Sequence, residues 1–473
     1  MHILPNYKTS LLIILLFCVA LQAQSQSFVY VEEKVLLDCG LPLVEIESVN
    51  GELPTCDYVT HPEGAMGEGI TNATKVPGRI IIKDKDSVVY DSGPYVQKVS
   101  GMTFRIRGNT SAYHERKPYK IKLQKKSDLL LRGNEELFAD KDWLFIPTGP
   151  WIEMLVGFHL SQLMGLEWTP AMKYVNLTVN KEYRGVYAIV EQVEYNERCR
   201  IKVNKETGYI IERDPYWWNE DLYFATPDKK EYTFKYPENE DITDEQLNDI
   251  QNNIVQMEVS IQNGTYEDFI DVNSWATWLL THDILGTWDS GGSNIFLSKN
   301  DNTNESLLKM PCIWDFDTMT KMKNDWARIH YDSFYYFPQL FASHNSTFVD
   351  TYIEKWRTVS ATVFSDMNTF LDSVYQSDFG ESIRITKTIE EQAFNYKGST
   401  FEQDINGFKS WFNSRKSWLT LQINDLSTPV QNIKNQSNSY SSQKYDLMGR
   451  RVNGQYRGIV ILRDGRKIVR NAR

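Results

Sequence analysis

Long basic runs are missing from this chain. Lys and Arg number 51 against 62 Asp and Glu, a formal net charge of −11. Nucleic-acid phosphates need a concentrated positive face, so this balance argues against such a partner. Cysteine is scarce, with five in 473 residues. Neither a Cys-x2-Cys pair nor a Cys/His cluster occurs, which argues against a structural zinc site. Beyond the N-terminus no stretch is apolar enough to cross a membrane. A Gly-x-Gly-x-x-Gly loop is also lacking, so any grip on phosphates must come from other residues.

What is present is apolar and aromatic: 41 % of the residues are hydrophobic and 13 % aromatic. Such a chain buries a large core, and its length predicts two or more lobes. At the N-terminus Lys8 precedes the apolar run Leu11–Ala20, and small residues follow at Ala23 and Ser25. So short a run with a polar flank suits a cleaved signal peptide over residues 1–25 better than a membrane span. Cys18 would suit a lipoprotein, but bulky Phe17 stands where a small residue is needed. The expected location is therefore secreted or cell-envelope, after cleavage. Cys39, Cys56, Cys199 and Cys312 then remain. Cys39 with Cys56 is the nearest disulfide candidate in an oxidising compartment, and four unpaired thiols are the alternative.

Residues 26–100 alternate short apolar strands with Pro, Gly and Asn turns, a β-rich N-terminal region. Phe104–Thr110 is a period-two strand with Arg105 and Arg107 on one face, running into a Gly-Asn turn. Lys117–Leu123 alternates likewise, with Lys120 and Lys122 on one side. These two basic strands either cradle phosphates or form the solvated face of an edge strand. Glu153–Gly165 has helical periodicity and a terminating Gly. Tyr174–Val179 and Gly185–Val190 read as a hairpin about Asn180–Arg184, leading to Glu191. Gly208–Glu212 is a further strand ending in a carboxylate. Trp217–Pro237, rich in aromatics and charge, is a flap or extra hairpin. From Asp244 the pattern turns helical, and Val272–Leu285 is a strongly apolar helix with Asp271 as N-cap. Thr347–Ser377, Glu381–Asn395 and Phe401–Leu426 carry three more helical patterns. Residues 427–444 are Ser/Asn/Gln-rich and read as a flexible linker. Residues 445–473 make two or three short basic strands.

The apolar helix delivers the chain to Trp288-Asp-Ser-Gly-Gly-Ser-Asn294, and Ile313-Trp-Asp-Phe-Asp317 follows. Phosphoryl transfer needs an Asp to accept the proton of the attacking hydroxyl, and an Asn and an Asp to hold Mg²⁺ against the phosphates. Protein kinases space these as Asp-x4-Asn and then Asp-Phe-Gly. Asp289 and Asn294 keep the first spacing, and Asp315 follows after two short apolar runs (Phe296-Leu297 and Leu307–Met310) that suit a hairpin. The plainer alternative is an acidic loop and a strand end carrying two solvated Asp.

Taken in order, several blocks resemble the CotH kinase family. They are Arg105-Ile-Arg-Gly-Asn-Thr-Ser111, Lys117-Pro-Tyr-Lys-Ile-Lys122, the helix near Leu155–Gly165 and Glu182-Tyr-Arg-Gly-Val-Tyr187 with Glu191-Gln-Val-Glu194. Gly208-Tyr-Ile-Ile-Glu212, Asp289 to Asn294, Trp314-Asp-Phe-Asp317 and the helix near Phe401–Leu426 complete the set. The resemblance implies an α+β, two-lobed atypical protein-kinase-like fold with a β-rich N-terminal region and a helical C-terminal region. The kinase-like domain would span residues 101–426. It implies transfer of the ATP γ-phosphate to protein Ser/Thr hydroxyls with Mg²⁺ or Mn²⁺. Carried over by position, Asp289 is the catalytic Asp, and Asn294, Asp315 and Asp317 are the metal side. Lys122, or secondarily Lys120, reaches the ATP phosphates, with Arg107 and Asn109 supplying the grip. Glu191 is a fixed carboxylate that anchors the Lys or lines the nucleotide site. Trp314 and Tyr187 either stack on adenine or belong to the core. No His-Arg precedes Asp289, so its orientation would come from Trp288 or His282. The tail from Tyr445 resembles C-terminal secretion-signal modules of Bacteroidetes proteins, the alternative being a terminal hairpin.

Two functions compete at this level. The first is an exported kinase with a protein substrate, surface or envelope proteins among the candidates. The second is a non-catalytic surface, assembly or carbohydrate-binding protein, with Tyr216–Phe224 as an aromatic platform. Joint retention of Asp289, Asn294, Asp315 and Asp317 favours the first; the scarcity of ATP outside the cytoplasm favours the second. The export expectation is directly testable. Mass spectrometry of the native protein should find a mature N-terminus between Gln24 and Phe28, and an intact Met1 contradicts it.

Overall fold

The computed structural model describes residues 28–65, 67–148, 152–287, 290, 292–316, 318–319 and 335–427, together with four short strands between 444 and 470. The expected signal peptide and most of the expected linker lie outside the described residues. In chain order the first strands are β1 (Leu43–Ser48), β2 (Asp57–Thr60), β3 (Glu68–Thr71), β4 (Val76–Asp84) and β5 (Ser87–Asp91). Next come β6 (Met102–Ile106), β7 (Tyr119–Ser127), β8 (Asp140–Pro147), β9 (Met172–Val179) and β10 (Glu182–Glu191). A second group follows: β11 (Tyr209–Arg213), β12 (Tyr223–Ala225), β13 (Glu231–Tyr236) and β14 (Ile295–Lys299).

Seven of these strands close a ring. The order is β1-β9-β10-β8-β7-β6-β4, with β4 paired back to β1 and β5 hung on β4. An odd number of strands cannot close by antiparallel pairing alone, so one neighbouring pair must run parallel. That pair is β1 with β9, Leu43 opposite Asn176 through Ile46 opposite Val179. Alternation along each strand sends one face inward. The interior is filled by Val44, Ile46, Ile80, Ile82, Phe104, Ile106, Tyr119, Ile121, Trp143, Phe145, Val175, Leu177, Tyr187 and Ile189. Tyr187, one of the two adenine-stacking candidates, is fully buried there, and its hydroxyl donates to Lys117 O at 3.0 Å. It is a core residue.

The expected β9–β10 hairpin forms with a turn at Asn180 and Lys181, both at positive φ (52° and 68°). Two adjacent left-handed residues match the twist of the flanking strands. A register shift then falls between Tyr183 and Gly185. At this bulge Val186 N donates to buried Glu390 Oε1 at 2.8 Å, which pins the helix Asp378–Ala393 onto β10.

The second sheet runs β12-β13-β11-β14. The helix Val272–Leu285 spans as the sequence predicts, with the Asp271 carboxylate accepting from Ser274 N and Gly286 left-handed at the C-terminus. Thr347–Ser377 does not form one helix. It breaks into Thr347–Val359 and Val363–Gln376 where Thr358, Val359 and Thr362, all β-branched, cluster around Ser360. By contacts the chain divides into two units, 1–418 and 419–473. In the second, the strands Lys444–Tyr445, Arg451–Val452, Gly458–Leu462 and Lys467–Arg470 form one antiparallel sheet. No helix among the described residues is long and apolar enough to cross a membrane.

Two expectations are corrected here. The fold is mixed α+β, but it is not a two-lobed kinase arrangement of a simple β lobe followed by a helical lobe. Strand β1 closes the first sheet into a barrel, and a separate sheet is built from β11–β13 together with β14, while the helical pattern expected from Asp244 does form, as Asp244–Asn263 and Val272–Leu285. The Cys39–Cys56 disulfide does not form; all four cysteines are free. Cys39 is buried, its thiol donating to Leu36 O at 2.9 Å and accepting from Asn176 Nδ2 at 3.0 Å.

Closure predicts that β1 carries barrel stability. Ile46 is 1 % exposed, so Ile46→Ala should cost about 2–5 kcal/mol in urea denaturation. A loss under about 1 kcal/mol, as at a surface site, contradicts a sealed barrel.

Candidate active site

Inward packing of Phe104, Ile106, Tyr119 and Ile121 turns Arg105, Arg107, Lys120 and Lys122 to the outer face of β6 and β7, with Arg105 opposite Lys120. Strand β8 brings Asp142 beside Lys122 in register. Its carboxylate lies 3.0 Å from Lys120 Nζ and 4.0 Å from Lys122 Nζ. The lysine side chains differ: Lys122 is 61 % exposed and Lys120 24 %. Burial lowers the Lys120 pKa, Asp142 opposing the shift and Arg105 adding to it. Lys120, rather than Lys122, is therefore the protected, oriented cation. Asp142 is itself held in place, because its carbonyl accepts from Arg200 Nη2 at 2.9 Å. Arg200 is buried over the Trp143 ring.

Glu191, 1 % exposed, is fully used elsewhere. Its Oε1 accepts from Arg132 Nη1 at 2.8 Å and its Oε2 from Ala171 N at 2.9 Å. Arg132 also pairs with Asp128 at 2.9 Å. Glu191 thus ties the loop around Asp128–Arg132 to the start of β9, and the lysine's carboxylate partner is Asp142. Asn109 follows left-handed Gly108 (φ 83°) and opens the short turn Thr110–Tyr113.

The facing groups come from the second sheet. Glu212 Oε2 and Lys235 Nζ lie 2.7 Å apart. Burial pushes the Glu212 carboxyl up to about 7, with Lys235 pulling it back and Asp214 adding to the rise. Arg107 lies in the field of carboxylates from beyond the barrel: burial lowers its pKa, while Asp315 and Glu212 both act to raise it.

Asn294 and Asp315 are brought together, Asn294 Nδ2 standing 3.5 Å from Asp315 Oδ2. Both have left-handed backbones, φ 57° and 64°. Asn and Asp tolerate this region better than other side chains, and such conformations persist where surrounding structure over-determines them. Part of that structure is Phe316, whose ring lies edge-on to Phe158 at 5.2 Å. The ring also sits on Gly157, where a Cβ would approach it to 2.7 Å. Trp314, half-buried, stands 6.1 Å from Phe158 and packs against the cluster of Trp168, Ile210, Phe296 and Cys312. Asp289, Asp317 and Trp288 lie outside the described residues. His282 is buried, its pKa lowered to about 3 by burial, with Nδ1 2.6 Å from Thr287 Oγ1. Among the described residues no three His, Cys, Asp or Glu side chains are arranged so that they could hold a metal ion by themselves.

Asp142, Lys235, Arg132 and Arg200 were not singled out from the sequence. Asp142 carries no motif and becomes visible only through the β7–β8 register. Glu212 did have a signal, a carboxylate ending an apolar strand. The family model described as CotH kinase protein fits residues 104–419. None of the curated proteins matches.

Between pH 4.5 and about 7 the folded protein holds a proton on Glu212 that the unfolded chain has released. Raising the pH through that window therefore removes stability. Glu212→Gln cannot titrate, so the melting temperature of wild type relative to this variant should fall across the window and level off above it. A constant difference contradicts the raised value.

Proposed function

As this chain belongs to the CotH kinase family, we propose that it transfers the γ-phosphate of ATP to Ser or Thr hydroxyls of a protein, with Mg²⁺ or Mn²⁺. The observation that carries the proposal is the meeting of Asn294 with Asp315 in left-handed conformations, electrostatically coupled to Arg107. Catalysis of phosphoryl transfer is mostly positioning and charge stabilisation, and each charge has a group suited to it. Lys120, aimed by Asp142, and Arg107 bind the phosphate oxygens. Asn294 Oδ1 and the Asp315 carboxylate are hard oxygen donors that suit a small divalent cation, which commonly takes one or two carboxylates and completes its shell from phosphates and water. Such a cation, when bound, neutralises charge across the β- and γ-phosphates. Asp289 takes the proton of the substrate hydroxyl as its oxygen bonds to the γ-phosphorus. The bond from that phosphorus to the bridging oxygen breaks, and ADP leaves with the electron pair. We place the mature chain outside the cytoplasm, on the charged start and short apolar run of its first 25 residues.

Steady-state kinetics with ATP and Mn²⁺ test these roles. Asp289→Ala should lower kcat by about 10²–10⁴-fold with ATP binding intact, as for loss of a general base. Lys120→Ala should raise KM for ATP about 10- to 150-fold, the equivalent of ~1.5–3 kcal/mol for a hydrogen bond to a charged group. Lys122→Ala should change it less than about threefold, because an exposed charge is screened. Equal effects at the two lysines contradict the assignment of Lys120. A wild-type protein that neither binds ATP nor phosphorylates any acceptor leaves the non-catalytic surface-protein reading.

A further inference from the structure

Residues 57–71 precede the family-matched segment, yet the β2–β3 hairpin they form touches both the barrel side and the second-sheet side of the candidate site. On the barrel side, Tyr58 OH donates to Ala112 O at 3.1 Å and accepts from Lys117 Nζ at 2.7 Å. The Tyr58 and Tyr113 rings are 4.5 Å apart, and Tyr113 OH donates to Gly69 O at 3.2 Å. On the other side, Asn219 Nδ2 donates to Ile70 O at 2.5 Å. Gly67 lies against the Tyr216 ring, where any Cβ would collide. The two walls also meet directly, Tyr216 OH standing 3.2 Å from Thr110 Oγ1. Asp214 rigidifies this corner: its carboxylate accepts from Tyr216 N at 2.8 Å and from Thr233 Oγ1 at 3.1 Å.

At the centre of these contacts is Gly69. A Cβ there would lie 3.1 Å from the Trp218 ring and 3.2 Å from Asn109 Oδ1. The hairpin therefore packs directly on the Gly108–Asn109 turn, with Trp218 on the other side of Gly69. Thr110, Ser111, Tyr113, His114 and Glu115 in this loop are exposed and Ala112 between them is buried in the barrel cluster, so only a single residue of 110–115 is packed in the core. A loop with few buried contacts samples many conformations unless it is tied down.

We propose that the β2–β3 hairpin with Trp218 is a clamp that positions the Gly108–Asn109 turn for phosphate binding, standing in for a mobile glycine-rich loop. This rests on the kinase reading above. Pre-organisation removes the ordering cost from nucleotide binding, so the clamp acts on affinity while the bond-making groups stay untouched. Two measurements on the full mature chain test it: calorimetric MgATP affinity, and hydrogen exchange over residues 107–113 without nucleotide. Trp218→Ala, and independently the wedge Gly69→Leu, should weaken MgATP about tenfold, the effect of cutting the binding-competent population to a tenth. Trp218→Phe, which keeps a ring on Gly69, should stay within about threefold of wild type, and kcat at saturating ATP should change less than about threefold for all three. Exchange over 107–113 should speed up in the first two variants. Unchanged affinity together with unchanged exchange overturns the proposal, even if the melting temperature falls. A wild-type chain that does not bind MgATP sinks the kinase reading instead; the exchange experiment then decides the clamp alone, faster exchange supporting it and unchanged exchange overturning it.

Discussion

Closure of the barrel is the constraint on which the remaining structure depends. Seven strands can close only if one pair runs parallel, and β1 supplies that pair by inserting between β4 and β9. The insertion leaves the ring without a free edge, so its strands cannot slip in register without breaking hydrogen bonds all round. A fixed register turns alternation into fixed placement. Arg105, Lys120, Lys122 and Asp142 share one outer face because Phe104, Ile121 and Trp143 share the inner one.

Against that rigid face the chain sets groups from a second source. The apolar helix Val272–Leu285 ends at left-handed Gly286, just before the segment that carries Asp289 and Asn294. The path after β14 returns to Asp315, where Phe316 beds on Gly157. Two left-handed polar residues, Asn294 and Asp315, then meet under the field of Arg107. The strain of those conformations and the burial of Arg107 and Lys120 are costs that folding alone does not require. They are what a site needs to meet a highly charged ligand with its dipoles already aimed.

Much of this was legible in the chain. Period-two alternation located β6 and β7, a hairpin pattern about Asn180–Arg184 located β9 and β10, and an apolar run with Asp271 as N-cap located Val272–Leu285. Asn294 and Asp315 stood out through spacing and do meet in space. What failed was non-local. Nothing in Leu43–Ser48 announces that it will close a ring with residues 172–179, so the expected two-lobed kinase arrangement gave way to a barrel and a second sheet. Alternation places Lys120 and Lys122 on one face, and only the β7–β8 pairing shows that Asp142 lies 3.0 Å from the first and 4.0 Å from the second. The partners of Glu191, Arg132 and the Ala171 amide, are distant in sequence and equally illegible there. The Cys39–Cys56 pairing failed because Cys39 points into the contact between Leu36 and Asn176.

The central claim is that the two walls form one site for a metal–nucleotide complex, in which a small divalent cation takes one or two carboxylates and completes its shell from the phosphates and water. Isothermal calorimetry of the mature wild-type chain, titrated with Mn²⁺ alone, ATP alone and both together, measures this coupling directly. The account predicts weak binding of each alone and mutual strengthening when both are present, since either one supplies charge that the other lacks. Tight Mn²⁺ binding without nucleotide, or ATP affinity indifferent to the metal, would contradict it.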